Sequence, residues 1–283
     1  MLKNKRLFLF AAYDANGIID DALIHYVRAL SALGDVVLYM DSDAKKSQIA
    51  KLKPFVLHAA ATRHGEYDFG SYKRCFIWAR DKKILKNYNH IYLVNDSVFG
   101  PLFDIQKTLK NIEATNTDAT GMVVAKHKTH RYMESWFVRL GKKIFMTPWF
   151  DEFMSAVTRE EYKYIITIKY EHGLTNIIRD NGCSYTGLYN VRGRFTYNHP
   201  KRLFKLGCPF IKRACFTRHN GAAGGQIQYV LNHCDKNVRS AIMTTANRVY
   251  GAGYMKWLMT RNPIKIMIRN ITYARKKIEN GGI

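Results

Sequence analysis

Three groups of residues in this chain could do chemistry. The first is Asn95-Asp96-Ser97, which ends the apolar run His90-Ile91-Tyr92-Leu93-Val94. A short run of β-branched and aromatic residues predicts a buried strand. A polar triplet at its carboxyl end falls where open α/β sheets bind ligands. The second is Asp68, which would cap a helix continuing through the amphipathic stretch 72–85; helix N-termini also bind phosphate. Arg63 and His64, just upstream, would add positive charge. The third is Glu171, in Tyr170-Glu171-His172-Gly173, placed to take a proton from a hydroxyl group. Asp151 and Glu152 are rival carboxylates for that role.

Asp68 and Asp96 facing one crevice would suit an activated sugar, with one polar corner for base and ribose and the other for a diphosphate. A leaving diphosphate needs a divalent cation or fixed positive groups. Magnesium keeps several of its waters, so one Asp aided by amide and hydroxyl oxygens suffices to hold it. Each group also has a plainer reading: an Asx turn before Gly100-Pro101, an ordinary N-cap at Asp68, and a first-turn Glu favouring the helix dipole at position 171.

The elements that must position these groups follow from periodicity. Strands are predicted at 6–13, 36–40, 55–59 and 90–94, alternating with helices opened by Asp20 and Asp21, at 46–52 and at 72–85. That alternation builds a mostly parallel sheet with helices on both faces. Further helices are expected at 103–112, 133–145, 160–168 and 170–180, and strands at 119–125 and 184–190. The run Gly221-Ala222-Ala223-Gly224-Gly225 lacks the Lys-Ser/Thr of a phosphate loop and predicts a flexible turn. The expected division is 1–198 for the α/β domain and 199–283 for a basic, amphipathic, mainly helical segment.

At 283 residues and 47% hydrophobic content the chain can bury a core. No apolar run of eighteen residues would span a membrane. The apolar stretch 7–13 is too short for a signal peptide and runs into Asp14, so it predicts the first strand. Five cysteines without a CxxC pair fit reduced, cytosolic thiols rather than a zinc site. The net charge is +23, and residues 201–283 hold sixteen Lys and Arg against two Asp and Glu. Such a field draws anionic lipid, nucleic acid or phosphorylated substrates. A nucleic-acid-binding protein would interleave aromatic platforms with basic residues along one groove. Here the basic residues gather after the α/β part, which favours a membrane surface, with Phe204, Phe210, Ile211 and Phe216 dipping into it and no nucleic acid expected.

Several stretches resemble the rhamnan synthesis protein F family, bacterial glycosyltransferases of surface-polysaccharide assembly. They are RHGEYDFGSYK from Arg63, YNHIYLVNDSVFGPLFDI from Tyr88, ESWF from Glu134 and KYEHGLT from Lys169. The opening stretch 13–43 and CPFIKRACF from Cys208 are similar too, so the resemblance covers about 5–215. It implies a GT-A-like, Rossmann-type fold and a hexosyltransferase, plausibly a rhamnosyltransferase. The donor would be a dTDP-linked or similar nucleotide sugar, and the acceptor a lipid-linked glycan of capsule, O-antigen or rhamnan. On that analogy Asn95, Asp96 and Ser97 stand in place of the Asp-x-Asp cation motif, with Asp96 the ligand for Mg2+ or Mn2+. Arg63 and Asp68 lie on the donor side, and Glu171 stands near the general base, with Asp151 second. The triplet carries one carboxylate where that motif has two. The protein is then expected to be cytoplasmic and peripheral on the inner membrane face. A non-catalytic relative that binds glycan is the alternative within the same family.

Overall fold

The computed structural model describes residues 5–127, 130–217, 221–269 and 271. The end of the expected C-terminal segment, 272–283, lies outside the described residues. In chain order the elements are β1 (Arg6–Ala12), α1 (Asp21–Ser31), β2 (Asp35–Met40), α2 (Lys46–Ala50), β3 (His58–Ala61), α3 (Tyr67–Asp81), β4 (His90–Asn95), β5 (Val98–Phe99), α4 (Gln106–Glu113), β6 (Ala119–His127), β7 (His130–Met133) and β8 (Phe137–Gly141). Then come α5 (Lys142–Phe145), α6 (Pro148–Ser155), α7 (Lys163–Ile166), a π-helical turn at Thr167–His172, α8 (Gly173–Asp180) and β9 (Tyr185–Arg192). The remaining elements are α9 (Phe195–Asn198), α10 (Pro200–Lys205), β10 (Ile211–Lys212), α11 (Ala214–Thr217), α12 (Gly221–Asn232), α13 (Lys236–Tyr250) and α14 (Ala252–Leu258). Contacts group the chain into two compact units. One holds Met1–Ile19, Tyr26–Asp96 and Ile105–Gly193; the other holds Asp20–His25, Ser97–Asp104 and Arg194–Ile283.

The first unit is the expected α/β layer structure. Its eight-stranded sheet runs β3-β2-β1-β4-β8-β6-β7, with β9 beside β6. The pairs β1–β2, β1–β4, β2–β3 and β6–β9 are parallel, while β8 runs antiparallel to β4 and β6, and β7 to β6. β1 is buried along its whole length, as a strand covered on both faces must be, which is why residues 7–12 read as an unbroken apolar run after Arg6. Leu7, Leu9 and Ala11 share a core with Phe69, Tyr72, Cys75 and Phe76 of α3. On the other face Phe10 meets Tyr26 of α1 edge to face at 5.1 Å. Gly34, after α1, has no room for a side chain: a Cβ there would lie 2.7 Å from the Arg6 carbonyl oxygen. Strand order reverses beside β1, with β2 on one side and β4 on the other, so the carboxyl ends of β1 and β4 flank the topological switch point.

The stretch 133–145 is not the amphipathic helix its pattern predicts. It contains the end of β7, a tight loop, all of β8 and the short α5. The cause is Arg139, a buried cation in mid-strand. Its guanidinium donates to the carbonyls of Thr117 at 2.8 Å and Asp118 at 3.2 Å, and to Thr120 Oγ1 at 3.2 Å. Acceptors fixed twenty residues away let a charge occupy the core, so polarity no longer marks the outer face. Smaller shifts occur elsewhere: β3 begins at His58, α4 at Gln106 and α8 at Gly173.

The second unit has its own core, in which Phe99, Leu102, Phe216, Ile227, Leu231, Ile242, Met255 and Leu258 are buried together. β5 pairs antiparallel with β10, and Asp20 and Arg248 form an ion pair at 2.8 Å. The Gly-rich run at 221–225 is the opening of α12 rather than a turn. A Cβ on Gly224 would fall 2.0 Å from the Leu258 carbonyl oxygen, so glycine is what lets α12 pass the end of α14. Phe210, Ile211 and Phe216, expected at a lipid surface, are buried, and Phe204 is packed against the same core.

Candidate active site

The loops that follow β1, β2 and β3 are locked to one another. The Asp14 N–H donates to Ser42 Oγ at 3.0 Å, and that hydroxyl donates back to the Asp14 carbonyl at 2.7 Å. Asp41 Oδ1 accepts the N–H groups of His64 and Gly65 at 2.8 and 3.0 Å. Arg63 reaches across with Nε 2.8 Å from Asp43 Oδ2, on the surface. The Asp43 carboxylate keeps the Arg63 guanidinium protonated above its ordinary range. His64 is different: burial, reinforced by the charge of Arg74, lowers its pKa, so the imidazole is neutral at pH 7 and adds no positive charge. Its ring instead bonds Ser71 Oγ at 3.0 Å.

These contacts wind the chain tightly into α3. Gly65 has φ +70° and Tyr67 has φ +56°, a left-handed conformation that costs an L residue with a side chain about 1–2 kcal/mol. Glu66, at the N-cap, makes no capping bond and pairs instead with Lys73 at 2.7 Å and Arg74 at 2.9 Å. Asp68 thus stands in the first turn of α3 rather than at its cap.

Asp68 meets the end of β4. The buried Asn95 donates from Nδ2 to Asp68 Oδ2 at 3.0 Å. The next residue, Asp96, is buried beside β1, where its Oδ2 accepts the Tyr13 N–H at 3.3 Å. Asp68 and Asn95 therefore meet at the carboxyl end of β4, beside the switch point, and Asp96 follows Asn95 there with its side chain on the Tyr13 N–H. Ser97 belongs to the second unit, where its hydroxyl accepts from Lys212 Nζ at 3.2 Å.

A second carboxylate group adjoins Asp68 through Tyr72, one turn along α3. Burial, then the charge of Asp68 and more weakly that of Glu171, holds the Tyr72 hydroxyl protonated well above the usual phenol range. That hydroxyl donates to the Ser135 carbonyl at 2.9 Å. Ser135 in turn pins Glu171, whose Oε1 accepts its N–H at 2.8 Å and its hydroxyl at 3.2 Å. Glu171 lies in the π-helical turn, not the first turn of an α-helix, so a dipole role does not explain it. π-Turns of this kind recur at functional sites. Glu134 is buried beside it and accepts from Trp136 Nε1 at 2.7 Å. Burial and the charges of Glu171 and Glu134 push the Tyr132 hydroxyl up to about 12, and its ring lies 3.9 Å from that of His172.

Asp151 stands apart from these groups. It accepts from Arg80 Nη1 at 2.6 Å and from Ser155 Oγ at 3.1 Å. Arg80 is twelve residues beyond Asp68 on α3, about 18 Å along the helix. The geometry does not bring Asp151 to the other carboxylates, whatever its spacing in the sequence suggests. An open groove of about 580 Å³, lined by Lys46, Ser47, Lys53 and the alanines at 44, 50, 60 and 61, lies along α2 and β3 and takes none of the predicted site residues into its walls.

Glu134, Ser135 and Tyr72 were not singled out by residue type. The stretch Glu134-Ser135-Trp136-Phe137 falls in the segment whose pattern predicts a helix, whereas it forms the loop between β7 and β8 and the start of β8.

One solved structure similar to this chain is a Desulfovibrio desulfuricans G20 protein described as a nucleotide-diphospho-sugar transferase, at 14% identity and a TM-score of 0.39, with 80% of this chain and 98% of that one covered. No curated protein matches. The model of the rhamnan synthesis protein F family matches residues 20–279. With nearly its whole length matched, the chain belongs to the rhamnan synthesis protein F family.

Proposed function

We propose that this glycosyltransferase moves a hexose, rhamnose first among them, from a nucleoside-diphosphate donor onto a lipid-linked glycan of a surface polysaccharide such as capsule, O-antigen or rhamnan. The observation that carries the reading is the bond between Asn95 and Asp68 at the carboxyl end of β4. That bond lies at the carboxyl end of a strand beside the switch point, where ligands of open α/β folds bind, and this supports a donor role for the two residues.

The roles follow from position. Asp68, held by Asn95, binds the nucleoside end of the donor, and Arg63 offers permanent positive charge to the diphosphate. Glu171, oriented by Ser135, accepts the proton of the acceptor hydroxyl as its oxygen bonds to the anomeric carbon. The bond from that carbon to the diphosphate oxygen breaks, and the nucleoside diphosphate leaves with the electron pair. Asp96 offers one carboxylate, and among the described residues no group of three or more His, Cys, Asp and Glu is arranged to hold an ion. A Mg2+ or Mn2+ ion would therefore take Asp96 together with oxygens of the donor, and would supply charge compensation for the leaving group.

The test is release of free nucleotide from a panel of dTDP-, UDP- and GDP-sugars, with and without EDTA. Release from at least one donor, lost in Asp96→Asn and in Glu171→Gln, is expected. Donor binding without turnover in the wild type would favour the glycan-binding alternative instead.

A further inference from the structure

The last described helix turns an apolar stripe toward solvent. Residues 263–269 and 271 are helical, and Ile264, Met267, Ile268 and Ile271 are 63%, 57%, 52% and 48% exposed. Their spacing of i, i+3, i+4 and i+7 sets all four on one face. The roll of the helix is fixed from the other side. Arg269 is 1% exposed, donates to the carbonyls of Trp257 at 3.2 Å and of Leu258, and lies 5.6 Å from the Trp257 ring. With that guanidinium buried, the stripe must face outward.

The surroundings carry charge of one sign. Residues 236–271 contain seven Lys and Arg and no Asp or Glu. Lys256, Arg261 and Lys265 among them are exposed. No described helix is long and apolar enough to cross a membrane. A short helix with an apolar face and a basic border is instead suited to lie in the plane of a lipid interface. A purely acidic protein partner would answer the charges but not the four aliphatic side chains.

We propose that the helical residues 263–269 and 271 dock on an anionic lipid surface, with Ile264, Met267, Ile268 and Ile271 in the interface and the nearby Lys and Arg on the headgroups. This deepens the proposed function, whose lipid-linked acceptor would lie in such a surface, but its test needs no catalysis. The full chain is sedimented with phosphatidylcholine vesicles and with vesicles that also contain phosphatidylglycerol. Binding at least about tenfold stronger to the anionic vesicles, and weakened by salt, is expected. The variant I264S/M267Q/I268S/I271S should lose that binding by at least about tenfold and leave nucleotide release from a soluble donor unchanged. A second variant, Ile268→Trp, keeps the stripe apolar; its added emission should shift to the blue with anionic vesicles.

No preference for anionic lipid, equal binding by the fourfold variant, or unshifted Trp emission would each overturn the proposal. So would a lipid-free dimer that the fourfold variant turns into a monomer, since the stripe would then join two copies of this chain. Intact vesicle binding without nucleotide release from any donor would leave the docking in place and remove the transferase reading.

Discussion

The side-chain amide of Asn95 holds the carboxylate of Asp68 at 3.0 Å across 27 residues of chain, joining the end of β4 to the first turn of α3. Without that donor, Asp68 would lose both its aim and a bond in a largely dry corner. Asn95→Ala is expected to cost about 1–3 kcal/mol of stability and roughly a hundredfold in kcat/KM. Chemical denaturation and nucleotide release measure the two. Asn95→Asp would set two carboxylates against each other, so one would hold a proton at higher pH than usual. Its residual activity should rise as pH falls.

Glu171 and Ser135 separate chemistry from positioning. Glu171→Gln keeps an acceptor for Ser135 but cannot take a proton, and kcat should fall by about 10² to 10⁴ with donor KM unchanged. Ser135→Ala removes the 3.2 Å hydroxyl bond and leaves the 2.8 Å backbone bond. A loss of only about two- to tenfold is expected, the worth of one hydrogen bond. A Ser135→Ala loss as deep as that of Glu171→Gln would mean the serine itself touches substrate.

Asp151 supplies the control. Its pairing with Arg80 is on the surface, with both side chains nearly two-fifths exposed. Asp151→Asn should change stability by less than about 1 kcal/mol and leave nucleotide release near the wild-type rate. Abolished transfer in this variant would return Asp151 to the list of catalytic bases.

Below the sheet, Arg6 and Glu113 form a bidentate pair, with Arg6 Nη2 2.7 Å from Glu113 Oε2 and the Tyr92 hydroxyl 2.6 Å from Oε1. Burial opposes ionisation of Glu113, but the bonds from Arg6 and Tyr92 prevail and bring its pKa below the ordinary 4.5. A carboxylate depressed on folding adds stability above its unfolded pKa and loses it as pH falls through the folded value. The melting temperature should therefore drop as pH is lowered below about 4.5, and Glu113→Gln should flatten that part of the profile. Arg6→Ala, which strands the partner charge, should cost about 3–5 kcal/mol at pH 7.

The parts of the molecule that could be read in advance are those where burial and composition agree. β1 and β4 are central strands with apolar residues on both faces, and the change to Asn95-Asp96 marks the carboxyl end of β4. The parts that could not be read depend on partners far along the chain. Arg139 is tolerated inside because carbonyls at 117 and 118 receive it. Glu134 is tolerated because the Trp136 indole donates to it. Gly224 resembles a hinge until Leu258 is seen against it. Spacing along one segment carries no trace of such distant neighbours, so the Ser135–Glu171 contact was hidden in it.

The left-handed backbone at Tyr67 sets activity and robustness against each other. Tyr67→Gly would relax that residue and should raise the melting temperature, since only glycine enters this region without strain. It would also loosen the swivel on which Asp68 turns and strip a partly exposed aromatic ring from its flank. If Asp68 holds the donor as proposed, the more heat-stable variant is expected to release nucleotide more slowly.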